Sequence, residues 1–525
     1  MSGSRHDQRR WVRRWATRAW DALRAAWAPL PDGPIAWIVV PDGPGSALAL
    51  DAIRRQTDPA WRVVPQRAGA HGTLGSLLAR ARTRDRVLVL DQGCMLVPEA
   101  LATLAPHSDA SFVYADEDCI DADGRCSDAF HKPAWSIDAA LEQNLVGAFC
   151  ATTMGALGPA LDLVAPTPHA VALRLAGPGA VIRHLPVILG HGPRNFAPPA
   201  AAVADALRRL ATSDTIPESV PSDILPNRNR IRWRLANPPR VTIIIPVRDN
   251  AGLLARCTAG VLARTDYPDF EVIIADNDST EPETLALLDA LALDPRVCVL
   301  PMPGPFNYSA INNAAAARAT GAVLVLLNSD VVVIGPGWLA ELVGHAMRPD
   351  VGAVGAKLLF EHGAIQHAGV VLGVGSFEGG PGVAGHFGLA APADATGHGE
   401  QFVLTREVAA VTAACLAVRR DVFEAVGGLD AIDLTVALND LDLCLRIRAL
   451  GLRVVFTPYA VLYHLESASR GPDTGVNAER FRRECRTIRD RWGPVLDADG
   501  FYNSNFSRYD HSFLLKEPGA GSLAR

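Results

Sequence analysis

Apolar runs with little polar alternation recur along the chain. VTIIIP at 241–246, FEVIIAD at 270–276, VCVL at 297–300 and AVLVLL at 322–327 suit strands covered on both faces. Helical patterns separate them, and the same rhythm of short apolar runs and helices occupies residues 34–194. The pattern predicts βα units, and hence an α/β fold with mainly parallel central sheets and flanking helices. Between the two series, residues 195–240 are rich in Pro, Ala and Arg; a helix is expected over 200–211, followed by SDTIPESVP at 213–221, which reads as a linker.

The two series resemble each other in order. RQTDPAWRVV at 55–64 parallels RTDYPDFEVI at 264–273, VLVLD at 87–91 parallels LVLLN at 324–328, and ALRL at 172–175 parallels CLRI at 444–447. The shared order predicts one fold present twice. The expected division is a helix over 1–30, a first domain over 31–194, the linker with its helix over 195–240, a second domain over 241–470 and a C-terminal helix and tail over 471–525.

Size agrees with this division, since 525 residues exceed what one hydrophobic core supports. Charged residues make up 20% of the chain and its net charge is −6, which excludes generic nucleic-acid binding. The nine cysteines form no CxxC pair, so reduced thiols in a cytoplasmic protein are expected. No apolar stretch has the length of a membrane-spanning helix. At the N-terminus, Trp11, Trp15, Trp20, Leu23 and Trp27 fall on one half of a helical wheel and Arg10, Arg13, Arg14, Arg18 and Arg24 on the other. That composition suits either a helix packed on the protein or peripheral contact, through residues 9–27, with the anionic inner face of the plasma membrane.

Candidate chemistry lies where strands end. Ligands of open α/β sheets bind outside the carboxyl ends of strands, so Pro246, Val247 and Asp249 after one run and Asp276 after the next should line one crevice. Asp276 could accept a hydrogen bond from a base or a ribose hydroxyl. Asn328-Ser329-Asp330 follows a third run, and Asp330 there could bind Mg²⁺ or Mn²⁺. Asp440 and Asp442 open an apolar-periodic helix; one carboxylate suffices as a cap, so the cap is assigned to Asp442 and the chemistry to Asp440. His464 ends a strand and could complete a metal site, with Arg470 nearby for a phosphate.

The runs FNYSAINN (306–313), NSD (328–330), IQHAGVV (365–371), NDLDLCLR (439–446) and LYHLESASRG (462–471) closely resemble glycosyltransferase family 2 of bacterial cell-surface polysaccharide assembly. The resemblance implies two tandem GT-A-like, Rossmann-like nucleotide-sugar transferase domains and an inverting enzyme. Its substrates would be a nucleoside-diphosphate sugar donor and a glycan or lipid-linked acceptor. It further implies Asp440 as the general base and Asp330 and His464 as ligands of a divalent Mn²⁺ or Mg²⁺. Pro246, Val247, Asp249, Asp276, Asn313, Asn328, Ser329 and Arg470 would bind the donor, and Gln366, His367, His386 and Arg406 are acceptor-side candidates. Asn328 departs from the pattern, because the family's metal motif usually begins with an acid.

The first series shares the resemblance at 114–124 and 131–135, yet Gly93, Pro168 and Ala170 stand where the second has Asp330, Asp440 and Asp442. Only His191 matches His464, so the first copy is expected to transfer no sugar. Asp116, Glu117 and Asp118 leave nucleotide binding open there, with a scaffold or acceptor-binding role preferred. A dinucleotide oxidoreductase is a rival disfavoured by Glu378, where the fingerprint after Gly373 and Gly375 requires a third glycine. A processive synthase is disfavoured by Ile488, three residues before Arg491. A non-catalytic binding protein built on two decayed transferase domains is the remaining alternative.

Overall fold

The computed structural model describes residues 33–43, 45–66, 73–121, 125–164, 166–465, 477–509 and 513–516. The N-terminal helix expected over 1–30 and Arg470 lie outside the described residues. The chain divides after Arg209 into two compact units.

In the first unit the apolar runs form β1 (Ala36–Pro41), β2 (Trp61–Gln66), β3 (Arg86–Leu90), β4 (Met95–Leu96), β5 (Phe112–Ile120), β6 (Cys126–Phe130), β7 (Phe149–Thr153) and β8 (Ile182–His191). They join in the order β2-β1-β3-β7-β5-β8-β4, with β6 on the free side of β5. Ile35, Trp37 and Val39 pack into one core and Ala36, Ile38 and Val40 into another. Both faces of the sheet are therefore covered, which is why these strands carry no polar alternation.

The second unit begins with a hairpin, β9 (Thr215–Pro221) and β10 (Asn229–Leu235), where the sequence reads as a linker. The prolines conceal a period of two: Ile231 and Trp233 are buried while Arg232 and Arg234 face out. Trp233 anchors the hairpin beneath the guanidinium of Arg348, 4.0 Å from its ring. Its carbonyl lies so near Gly344 that a Cβ there would sit 2.3 Å from the oxygen.

The main sheet follows: β11 (Val241–Val247), β12 (Phe270–Asp276), β13 (Val297–Pro301), β14 (Val323–Leu327), β15 (Val331–Val333), β16 (Val351–Leu359) and β17 (Ile365–His367). Two small pairs interrupt it, β18 (Val370–Leu372) with β21 (Ala384–His386) and β19 (Ser376–Phe377) with β20 (Gly380–Pro381). It closes with β22 (Arg406–Glu407), β23 (Cys415–Arg419) and β24 (Arg453–His464). The order is β13-β12-β11-β14-β23-β16-β24-β15, with β17 on β16 and β22 on β24. The sense is parallel from β13 to β14 and mixed beyond, where β23 enters antiparallel. Hydrophobicity reveals that a strand is covered on both faces but not its direction.

Removing β13 and β22 leaves the sheet of the first unit. β1 to β8 correspond in turn to β11, β12, β14, β15, β16, β17, β23 and β24, and every shared pairing has the same sense. The tandem α/β organisation expected from the sequence is thus present strand for strand.

Candidate active site

The parallel strands β11 and β14 end on one side of the second unit, and a cavity of about 550 Å³ opens there. Its walls include Pro246, Val247, Asn328, Ser329, Asp330, Gln366, His386, Asp440 and His464, all of them site candidates from the sequence. That volume lies within the range of small-molecule sites.

β14 stops at Leu327, and β15 pairs antiparallel with the end of β24 so that Val331 faces His464. The register places the preceding Asp330 beside the imidazole, with Asp330 Oδ1 3.2 Å from His464 Nε2 and both residues buried. On the other side of the ring, His464 Nδ1 lies 2.8 Å from Gln366 Oε1. The amide oxygen is an acceptor, so Nδ1 carries the proton and the Nε2 lone pair points towards Asp330. Asn328 Nδ2 donates towards the same Nε2 at 3.4 Å, and Tyr308 Oη donates to Asn328 Oδ1 at 3.2 Å. A carboxylate oxygen and an imidazole lone pair this close repel unless a cation or a proton stands between them. These donors, one hard oxygen and one imidazole nitrogen, fit Mn²⁺ or Mg²⁺ with substrate oxygens and water completing the shell.

Asp440 comes from the first turn of the helix Asn439–Ala449. The main-chain N–H of Ala413 donates to its Oδ2 at 3.0 Å, and its neighbour Leu441 N–H donates to Oδ1 at 2.8 Å. Asn439 is buried and donates to Ser309 Oγ and Val436 O, which ties the helix start to the cavity wall. Leu438, immediately before, has φ 60. A branched side chain in the left-handed region costs about 1–3 kcal/mol, and such strain collects at functional sites.

Asp442 does not cap the helix. It is fully buried and accepts from Arg446 Nε (2.7 Å), Arg491 Nη1 (2.8 Å) and Trp492 Nε1 (2.9 Å). The sequence misassigned it because Arg491 and Trp492 reach it from the distant helix Ala478–Leu496. Capping there falls to no side chain.

The other candidates lie off this cavity. Asp249 accepts from the N–H groups of Thr280 and Glu281, which hold its carboxyl below the usual range. Asp276 accepts from Ser279 N–H, and Asp278 accepts from Gly304 N–H. The Asn313 amide both donates to and accepts from Leu429. Arg406 is buried and donates to Gln401 O and Ala368 O, burial lowering its pKa to about 9. His367 is buried 2.8 Å from His386, and burial, with His386 and the Arg406 guanidinium nearby, pushes its pKa well below normal. Arg248, Phe306, Tyr308 and Phe481 line the cavity and had not been singled out. Phe306 and Tyr308 belong to the run 306–313, and Arg248 directly follows the end of β11, so these positions were the available signal.

At the corresponding place the first unit is filled from within. Its turn before β7, Gly147-Ala148, corresponds to Ala413-Ala414, as the pairings Leu90↔Phe149 and Leu327↔Cys415 require. Ala148 N–H donates to Glu117 Oε2 at 2.6 Å, and Lys132 Nζ sits 3.1 Å from that oxygen and 2.6 Å from Val146 O. Asp116 is buried between His131 (3.0 Å) and His184 (2.7 Å) and accepts from Lys132 N–H. Burial alone would raise its pKa, but the two histidines hold it well below the carboxylate range. Asp116 and Glu117 are thus engaged by the protein's own groups.

Residues 242–427 match the family model described as Glycosyl transferase family 2. The chain is 38% identical over 487 residues to the uncharacterised protein y4gI of Sinorhizobium fredii, covering 88% of this chain and 53% of that protein. It is 37% identical over 438 residues to the O-antigen biosynthesis protein RfbC of Myxococcus xanthus, covering 78% of this chain and 33% of the relative. The chain thus spans about half, or less, of these relatives' length. Among solved structures, a mannosyltransferase of Pyrobaculum calidifontis in complex with GDP-mannose and Mn²⁺ covers 56% of this chain and 76% of its own, at 18% identity and a TM-score of 0.35. A domain of glycosyl transferase family 2 thus spans residues 242–427 of the chain.

Proposed function

We propose that the second unit transfers a sugar, with inversion, from a nucleoside-diphosphate sugar to a hydroxyl of a glycan or lipid-linked acceptor. The observation that carries this reading is that Asp440, held by two main-chain N–H groups, lines the same cavity as the Asp330–His464 pair. The sequence likeness to an O-antigen biosynthesis protein supports cell-surface polysaccharide as the product class. Peripheral membrane contact through residues 9–27 rests on their composition alone.

In a single displacement, the acceptor oxygen bonds to the anomeric carbon as the bond from that carbon to the diphosphate breaks. Asp440 takes the acceptor's proton. The Ala413 and Leu441 N–H groups fix the carboxylate's direction without protonating it. Asp330 and His464 would hold a divalent cation, which supplies charge compensation for the departing diphosphate. Gln366 keeps the His464 proton on Nδ1 and so keeps Nε2 available as a ligand. Arg248, exposed at the rim, is placed to meet a phosphate oxygen.

A panel of nucleotide sugars scored for diphosphate release, with and without Mn²⁺, tests the reading, and Asp330→Ala serves as its control. Release that is metal-dependent and abolished in the control supports it. Asn328 favours the second reading, a non-catalytic binding protein. Tight nucleotide binding with no turnover on any acceptor would establish that one instead.

A further inference from the structure

Three metal-ligating side chains of different chemistry converge in the first unit, away from its filled centre. β5 runs between β6 and β8. Asp118 on β5 is paired directly with His191 on β8. Ile120 on β5 is paired with Cys126 on β6, and alternation along a strand puts Asp118 and Ile120 on one face. A carboxylate, a thiol and an imidazole from three adjacent strands therefore share a face of the sheet. Their ligand atoms all lie within 4.8 Å of one another, and among the described residues this is the one such group of His, Cys, Asp or Glu. His191 Nδ1 already contacts Asp118 Oδ1. Asp118 is buried, His191 half-buried and Cys126 exposed, so the group has both a fixed base and an opening to solvent.

Ligands of a tetrahedral zinc ion sit about 2.0–2.3 Å from the metal, and hence roughly 3.3–3.8 Å from each other. Small side-chain rotations that widen the Asp118–His191 contact and draw the Cys126 sulfur in bring the group to that spacing. A thiolate beside an imidazole selects a borderline-soft ion, whereas Mg²⁺ and Ca²⁺ prefer an all-oxygen shell. We propose that Asp118, Cys126 and His191 form a zinc site, with water in the fourth position, that fastens the β5–β6 hairpin to β8. His191 and His464 end corresponding strands, but their partners differ. His464 meets a carboxylate from the loop before β15, while His191 meets ligands from β5 and β6.

Cobalt titration of the chelator-stripped, reduced full chain tests the site, because a thiolate bound to Co²⁺ produces a charge-transfer absorption that oxygen and nitrogen ligands do not. One equivalent should give that band, and Zn²⁺ should displace it. Cys126→Ser should lose the band while Cys298→Ser, at another exposed thiol, and Asp330→Ala keep it. Cys126 is exposed, and an unchanged melting curve for its variant would show that the fold is intact. The proposal is overturned if the wild-type chain shows no thiolate band, or if the band survives Cys126→Ser.

Discussion

At the scale of single residues, the proposed transfer would divide its chemistry between Asp440 and Asp330. Asp440→Asn keeps an oxygen for the Ala413 N–H but cannot take a proton, so transfer should fall by about 10²–10⁴ with donor affinity unchanged. Single-turnover assays beside nucleotide titration measure the two separately, and undiminished transfer would remove Asp440 from the mechanism. Asn328 offers the opposite experiment. Its amide lies 3.4 Å from His464 Nε2, so Asn328→Asp adds a second carboxylate, and a third ligand, to the pair. Mn²⁺ affinity measured by calorimetry should rise about tenfold, equivalent to about 1.4 kcal/mol. Asp330, Asp440 and His464 were legible because strand and helix ends show in the hydrophobic pattern. Gln366 is an acceptor-side candidate by sequence, and its contact with His464 spans 98 residues, which no local pattern reports.

At the scale of elements, Asp442 joins two helices. Its carboxylate binds Arg446 on its own helix and Arg491 and Trp492 on the helix Ala478–Leu496, while Arg446 also donates to Val426 O and Gly428 O. Removing one partner of a buried pair leaves the others unmatched, which typically costs about 3–5 kcal/mol. Asp442→Ala should lower stability by that order in denaturant titration, and a loss under 1 kcal/mol would contradict the role. The two acids of this helix look alike in sequence, and their tasks are separated by tertiary partners alone. The hairpin β9–β10 was hidden differently. Pro217 and Pro221 suggested a linker, although the alternation of Arg232 and Arg234 with Ile231 and Trp233 already carried the period of a half-buried strand.

At the scale of the whole molecule, the duplication was legible from the order of short likenesses, and Gly93, Pro168 and Ala170 carry the expectation that the first unit transfers no sugar. The way its centre is filled was not, because Lys132, Glu117 and His184 come together only in three dimensions. Acid should expose a weakness in this unit. His169 is buried on the helix Pro168–Leu175, its Nε2 2.8 Å from Ala140 O, and burial lowers its pKa to about 4. The unfolded chain takes up that proton near pH 6.5 and the folded chain only near 4, so stability is full above 6.5 and falls as pH drops through this window. The loss amounts to about 3 kcal/mol. Melting temperatures should decline more steeply between pH 6.5 and 4.5 for the wild type than for His169→Gln, and equal slopes would refute the assignment.

The lysine lodged between Glu117 and Val146 O has a consequence for the history and the engineering of the first unit. An acid introduced near residue 93 would meet Lys132 and Glu117, which are buried close by and satisfy each other. Removing either one first strands its partner's charge in the interior. Each single substitution at Lys132 or Glu117 is therefore expected to destabilise the first unit, and the two side chains hold one another in place like a latch.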